Sequence, residues 1–161
     1  MVRISTLLLA SALFVGSART ADACECISTS VGTVKVDPEW KGMLAVGRVT
    51  ALRLVEKDGA PTNIVAVDVI VSEALRNATP GRLTIYTHVF GASCYGYDFR
   101  IGQEYLIGTI PSELLDRDRE VLPHLLPVGS HVVSLCGGAA ELHRRDTQEA
   151  LKRLRAAFGP K

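Results

Sequence analysis

Alternating apolar and polar residues predict β-structure over most of the chain after residue 40. The clearest strand covers residues 64–71, where β-branched side chains follow one another and valine recurs at every second position. Similar patterns predict strands over residues 40–55, 82–90, 103–110 and 132–135. Asp58-Gly59 separates the first two strands and is a strong hairpin signal, while Gly47 predicts a bend in the first.

The last part of the chain has the pattern of an amphipathic helix. Asp146 with Glu149 three residues later fits a capping box, and Gly159-Pro160 predicts the end of the helix. The apolar face is expected to carry Ala150, Leu151, Leu154, Ala157 and Phe158, and the basic face Lys152, Arg153 and Arg155. Five strands and one long helix predict a mainly β domain, a small barrel with the helix packed against it.

The N-terminal residues have the pattern of an export signal. A positive start at Arg3 precedes an apolar run over residues 4–15, and Ala21-Asp22-Ala23 is a small-x-small cleavage site. The run is too short to cross a membrane, which takes roughly 20 apolar residues. We therefore expect residues 1–23 to be a cleaved signal peptide and residues 24–161 to be one secreted domain, extracellular or periplasmic. Lipid anchoring at Cys24 is the less favoured alternative, because Asp22 fits that pathway poorly.

The four cysteines of an exported chain are expected to form disulfide bonds. They stand at positions 24, 26, 94 and 136. A bond between Cys24 and Cys26 would close a very tight ring, so two long-range pairings remain, and both attach the N-terminus to later parts of the chain. A structural zinc site is the less favoured alternative, because Cys94 and Cys136 are not in the close pairs that such sites use.

Composition and motifs narrow the classes of function. The formal net charge of +1 lacks the basic surplus of a nucleic-acid-binding protein. The four histidines are scattered, and the sequence contains no HExxH, Gly-x-Ser-x-Gly or phosphate-binding glycine loop, so we do not expect an enzyme or a cofactor. Asp68, within the clearest strand, is expected on its solvent-facing side rather than as a buried functional acid.

The cysteine positions and the segments around them resemble the netrin-like domain family, most closely the tissue inhibitors of metalloproteinases. The start Cys24-Glu25-Cys26 is similar to the family's Cys-x-Cys start, and residues 46–49 to its first-strand signature. Residues 93–97 followed by 102–107 resemble the "SCGY…F..G..YL" segment, and residues 133–136 the region of the last cysteine. The Arg- and Ala-rich composition with few aromatic residues suggests a bacterial member.

The resemblance implies a five-stranded OB-like barrel and favours the pairs Cys24–Cys94 and Cys26–Cys136. It also implies a secreted inhibitor of zinc metalloendopeptidases, in which the α-amine and carbonyl oxygen of Cys24 chelate the zinc of the protease. In that mechanism Glu25 enters the specificity pocket, and the other residues of the inhibitory ridge are Cys26, Ile27, Ala92 and Ser93. The inhibitor would hold no metal of its own and is expected to act as a monomer.

The alternative function is a netrin-like module that does not inhibit proteases. Such a module would use its barrel to bind another protein at the cell surface or in the extracellular matrix.

Overall fold

The computed structural model describes residues 41–89, 96–115, 125–133 and 138–159. Strands make up 53% of these residues, and an α-helix ends the described chain, which confirms a mainly β fold with a C-terminal helix. The predicted signal peptide and cleavage site lie outside the described residues.

Within the described ranges, six strands precede the C-terminal α-helix. The strands are β1 (Met43–Lys57), β2 (Ala60–Arg76), β3 (Gly81–His88), β4 (Glu104–Pro111), β5 (His131–Val132) and β6 (Ala139–Glu141), and the helix is α1 (Arg145–Phe158). One turn of 3-10 helix, Ser112–Leu114, follows β4. Strand β6 is an addition to the five predicted strands.

Five of the strands form a ring of hydrogen-bonded neighbours. Strand β1 pairs with β2 and β2 with β3, while β3 pairs with β5, β5 with β4 and β4 again with β1. All these pairs are antiparallel except β3 with β5, which is parallel. Strand β6 pairs with β4 opposite β1 and lies outside the ring.

Local sequence explains two features of β1, the tight hairpin loop that follows it and the close approach of β2 at Gly47. Asp58 and Gly59 both have positive φ, of 53° and 79°, as a two-residue hairpin loop requires, so the predicted hairpin is confirmed. Gly47 lies where β1 pairs with both β2 and β4. A Cβ at this position would overlap with a side-chain methyl of Val69 and lie 3.1 Å from the carbonyl oxygen of Ile70, so the close approach of β2 requires glycine.

The apolar residues form three clusters around the ring. The main cluster joins alternate residues of β1 and β2 to Ile85, Phe99 and Tyr105. A second packs α1 against the start of β1 and the middle of β4 through Leu44, Val46, Leu106, Leu151 and Leu154. A third places Leu126 against Ile64 and Val132.

Helix α1 ends before Gly159 as predicted, but its N-cap and one residue of its apolar face differ from the prediction. Its N-cap is Arg144, without a side-chain cap, and Asp146 lies in the first turn, where its carboxylate accepts a hydrogen bond from the Thr147 N–H. Glu149 pairs with Arg145 instead of completing a capping box. Ala157 is exposed, whereas the other four predicted apolar positions are buried or half-buried.

Candidate functional site

The predicted inhibitory residues lie outside the described parts of the chain. This applies to the chelating residue, to the ridge and to both disulfide pairs: Cys24, Glu25, Cys26, Ile27, Ala92, Ser93, Cys94 and Cys136. The described residues that flank Cys94 and Cys136 nevertheless fix where these two segments begin and end.

The segment that carries Ala92, Ser93 and Cys94 begins and ends beside the last residues of β3. Before it, the Val89 N–H donates to the Asn63 carbonyl at 2.8 Å. After it, the Tyr97 N–H donates to the buried hydroxyl of Thr87 at 3.0 Å. Gly96 has a φ of 84°, and a Cβ on it would overlap with the His88 carbonyl oxygen. The chain therefore returns to the strand end that it left, and glycine allows that close return.

The segment that carries Cys136 begins at the same strand end. Its preceding residue, Val133, donates its N–H to the Tyr86 carbonyl at 2.8 Å. Because β5 is parallel to β3, both strands point their carboxyl ends the same way. After this segment, the Gly138 carbonyl accepts a hydrogen bond from the Gly108 N–H at 2.6 Å, next to the pairing of β6 with β4.

Three aromatic rings pack together near the end of β3, where the Tyr97 N–H bonds to Thr87. The Tyr97 ring centroid lies 4.8 Å from that of Phe99 and 5.8 Å from that of Tyr105, and the Phe99 and Tyr105 rings are 5.0 Å apart. The Tyr105 hydroxyl accepts a hydrogen bond from the Arg100 N–H at 2.9 Å. Burial raises the pKa of Tyr97 to about 12, as expected for a phenol packed among apolar groups.

A groove of about 270 Å³ runs beside these aromatic residues. It is lined by apolar side chains of β1 and β2 and by residues on both sides of the Cys94 segment: Leu52, Val65, Val67, Thr87, His88, Val89, Tyr97, Asp98 and Phe99. Val89 is 45% exposed. The end of the ring that bears the Cys94 segment thus combines a largely apolar groove with backbone hydrogen bonds on both sides of that segment.

The other titratable residues of interest have structural partners. Asp68 lies on the outer face of β2, where its carboxylate accepts two hydrogen bonds from Arg53 Nη2, at 2.9 and 3.1 Å, and one from the Thr84 hydroxyl at 2.8 Å. The hydrogen bonds from Arg53 lower the pKa of Asp68 most, followed by that from Thr84. His131 Nδ1 lies 3.0 Å from the Thr109 hydroxyl, and burial lowers the pKa of this imidazole.

The described part of the chain contains neither a cluster of metal-ligating side chains nor a membrane-spanning helix. No group of three or more histidine, cysteine, aspartate or glutamate side chains is placed there to hold a metal ion. None of the helices described is long and apolar enough to cross a membrane.

Sequence patterns alone did not predict the contacts among the Tyr97, Phe99 and Tyr105 rings or the pairing of β3 with β5. Tyr97 and Phe99 are two residues apart and follow a glycine, and this spacing is the one signal that could have placed both rings on one side of an extended segment.

Comparison of the chain with profiles of known protein families, with characterised proteins and with solved structures finds no match.

Proposed function

We propose that the protein is a secreted inhibitor of zinc metalloendopeptidases that acts through the amino group of Cys24. In this proposal residues 1–23 are removed on export and the five-stranded ring is an OB-like barrel of the netrin-like type. The chain then acts as a monomer in the extracellular space or periplasm, and the zinc comes from the protease.

The observation that carries the proposal is that the Cys94 and Cys136 segments begin next to each other, at the carboxyl ends of the neighbouring parallel strands β3 and β5. Cys24 and Cys26 are separated by one residue, so two bonds from them need partner cysteines whose Cα atoms lie within about 20 Å. An eight-residue strand such as β3 is about 27 Å long. Segments leaving opposite ends of β3 would therefore be poorly placed for these two bonds, whereas segments leaving the same end favour them.

The pairs Cys24–Cys94 and Cys26–Cys136 would attach the new N-terminus to the rigid end of the ring. Hydrogen bonds at Val89, Tyr97 and Val133 already anchor the flanks of both partner segments. A terminus held in this way loses little conformational entropy when it binds. This preorganisation is what a short chelating segment needs in order to bind tightly.

Zinc chelation follows from the chemistry of a free α-amine. A catalytic zinc ion keeps one position for water, which a neutral amine and the neighbouring carbonyl oxygen of Cys24 can replace together. An α-amine has an ordinary pKa of about 8, and protonation removes the lone pair that binds zinc. Inhibition is therefore expected to weaken as the pH falls below that value.

Two forms of the protein test this proposal. One begins at Cys24, and the other carries a single additional alanine before it, which turns the α-amine of Cys24 into a peptide nitrogen. We expect the first form alone to inhibit members of a panel of zinc endopeptidases. Equal inhibition by both forms, or by neither, would contradict the amine mechanism, and mass spectrometry of the exported protein checks that Cys24 is terminal and unacylated.

A further inference from the structure

A row of three side chains crosses the outer face of β1, β2 and β3, well away from the proposed inhibitory end. Arg48 on β1 lies opposite Ile70 on β2, and Ile70 lies opposite Arg82 on β3. Opposed residues of antiparallel strands point to the same face with Cβ atoms about 5 Å apart. All three are exposed, with Ile70 at 45%, so this row, here called the outer patch, places an apolar side chain between two guanidinium groups.

A groove of about 520 Å³ lies along the outer patch. Its lining includes Ile70 and Arg82, the hydroxyl-bearing Thr50 and Thr84, and also Leu83 and Asp68. The groove is therefore partly apolar and partly polar, as a recognition surface for a polypeptide is.

Charge decides which kind of partner this groove fits. The carboxylate of Asp68 is already bound by Arg53 and Thr84. Arg48 contacts Glu104 at 3.3 Å in a solvent-exposed pair, which contributes little. Arg82 makes no hydrogen bond or ion pair among the described residues, although its charge attracts Asp68 and helps to lower the pKa of that carboxyl. Because Asp68 is already paired with Arg53, the two guanidinium groups of Arg53 and Arg82 exceed the one carboxylate near the groove, and Arg82 remains exposed beside Ile70.

Two other parts of the outer surface of the ring are covered, whereas the outer patch is exposed. Helix α1 covers Leu44, Val46 and Leu106, and Leu126 packs on Ile64. The patch lies on the same strands without such a cover among the described residues, and arginine is one of the residue types enriched at protein interfaces.

We propose that the outer patch binds an acidic segment of a partner protein that presents an apolar side chain beside a carboxylate. The apolar side chain covers Ile70 while the carboxylate pairs with Arg82. Neither contact involves Cys24 or a protease, so this binding is independent of the proposed inhibition.

Three model peptides of twelve residues probe this surface. The first alternates glutamate and leucine, the second glutamate and serine, and the third lysine and leucine. In titrations of the isotope-labelled exported protein followed by NMR, we expect the first peptide to bind saturably and to shift amide signals of the outer patch. The second should bind about tenfold more weakly because it lacks the apolar contact, and the third should not bind there.

Two variants with the same change of charge separate local recognition from general attraction. Arg82→Glu should weaken binding of the glutamate–leucine peptide by about tenfold or more, whereas Arg153→Glu on the exposed side of α1 should leave it unchanged. Ile70→Ser should remove the preference for the leucine-containing peptide. Native spectra of each variant confirm that the fold is retained.

The proposal is overturned if the glutamate–leucine peptide does not bind saturably or shifts signals elsewhere. Equal weakening by Arg82→Glu and Arg153→Glu would indicate non-specific attraction and would also overturn it. Equal binding of the first two peptides, or binding of dextran sulfate with no binding of the first peptide, would identify a simple anion site instead of a protein-binding surface.

Discussion

Gly96 is the residue whose substitution tests the position of the Cys94 segment most directly. It has a φ of 84°, and a Cβ there would overlap with the His88 carbonyl oxygen and lie 2.7 Å from the carbonyl carbon. Both contacts are with backbone at the end of β3, which cannot rotate away as a flexible side chain would. Gly96→Ala therefore has to displace the returning chain or the end of β3.

The chain offers a matched control in Gly102. Its φ of 85° is nearly the same, but a Cβ there would meet nothing within 4 Å. Gly102→Ala should lose only the cost of left-handed backbone, about 1–2 kcal/mol of unfolding free energy. Gly96→Ala should lose that amount plus about 1–3 kcal/mol for the overlap. The difference between the two variants isolates the close approach of Gly96 to β3.

Urea unfolding, followed by circular dichroism, measures both losses. Asparagine provides a second comparison, because it tolerates positive φ better than alanine but carries the same Cβ. Gly102→Asn should therefore recover part of the loss at that position, while Gly96→Asn should remain strongly destabilised. Equal losses for alanine at positions 96 and 102 would refute the close return of the chain to His88.

Two further predictions concern the outer face and the helix. Because its partners lower the pKa of Asp68, the stability from its charged form is present above the unfolded value of about 4 and is lost as the pH falls through the lower folded value. Urea unfolding should thus show a smaller acid-induced loss for Asp68→Asn than for the parent, and identical losses would contradict the role of the pair with Arg53. Leu151→Ala should lose about 2–4 kcal/mol of unfolding free energy because Leu151 is 2% exposed. Lys152→Ala is its exposed control and should change stability by less than about 0.5 kcal/mol.

Local patterns predicted those parts of the fold that local chemistry determines. The hairpin of β1 and β2 follows from alternation and from Asp58-Gly59, whose backbone adopts the positive φ values that the turn needs. The buried face of α1 follows from the spacing of Ala150, Leu151 and Leu154. In each case neighbouring residues in sequence carry most of the information.

Features set by tertiary contacts were not predictable in the same way. Strand β6 consists of Ala139, Ala140 and Glu141, which carry no strong strand preference and are extended because β4 offers its open edge. The helix begins before the predicted N-cap Asp146. The Asp146 carboxylate lies within the first turn, where it accepts hydrogen bonds from the Thr147 N–H and from the Arg144 side chain. The sequence pattern predicts a strand at residues 132–135, but it does not specify the parallel pairing of β5 with β3 that brings the Cys94 and Cys136 segments to one strand end, because that pairing is a tertiary contact of only two residues.

The two proposals place their surfaces toward opposite ends of β3. Arg82 lies at the start of β3, whereas the Cys94 segment follows its last residue, His88. Six residues of extended strand separate Arg82 from His88 by about 20 Å, which exceeds the Debye length of about 8 Å at physiological ionic strength. Charges on a partner at the outer patch would therefore be largely screened from a terminus held at the far end of β3. Taken together, the two proposals would assign a protease-directed terminus and a second protein-binding face to the two ends of the same strand.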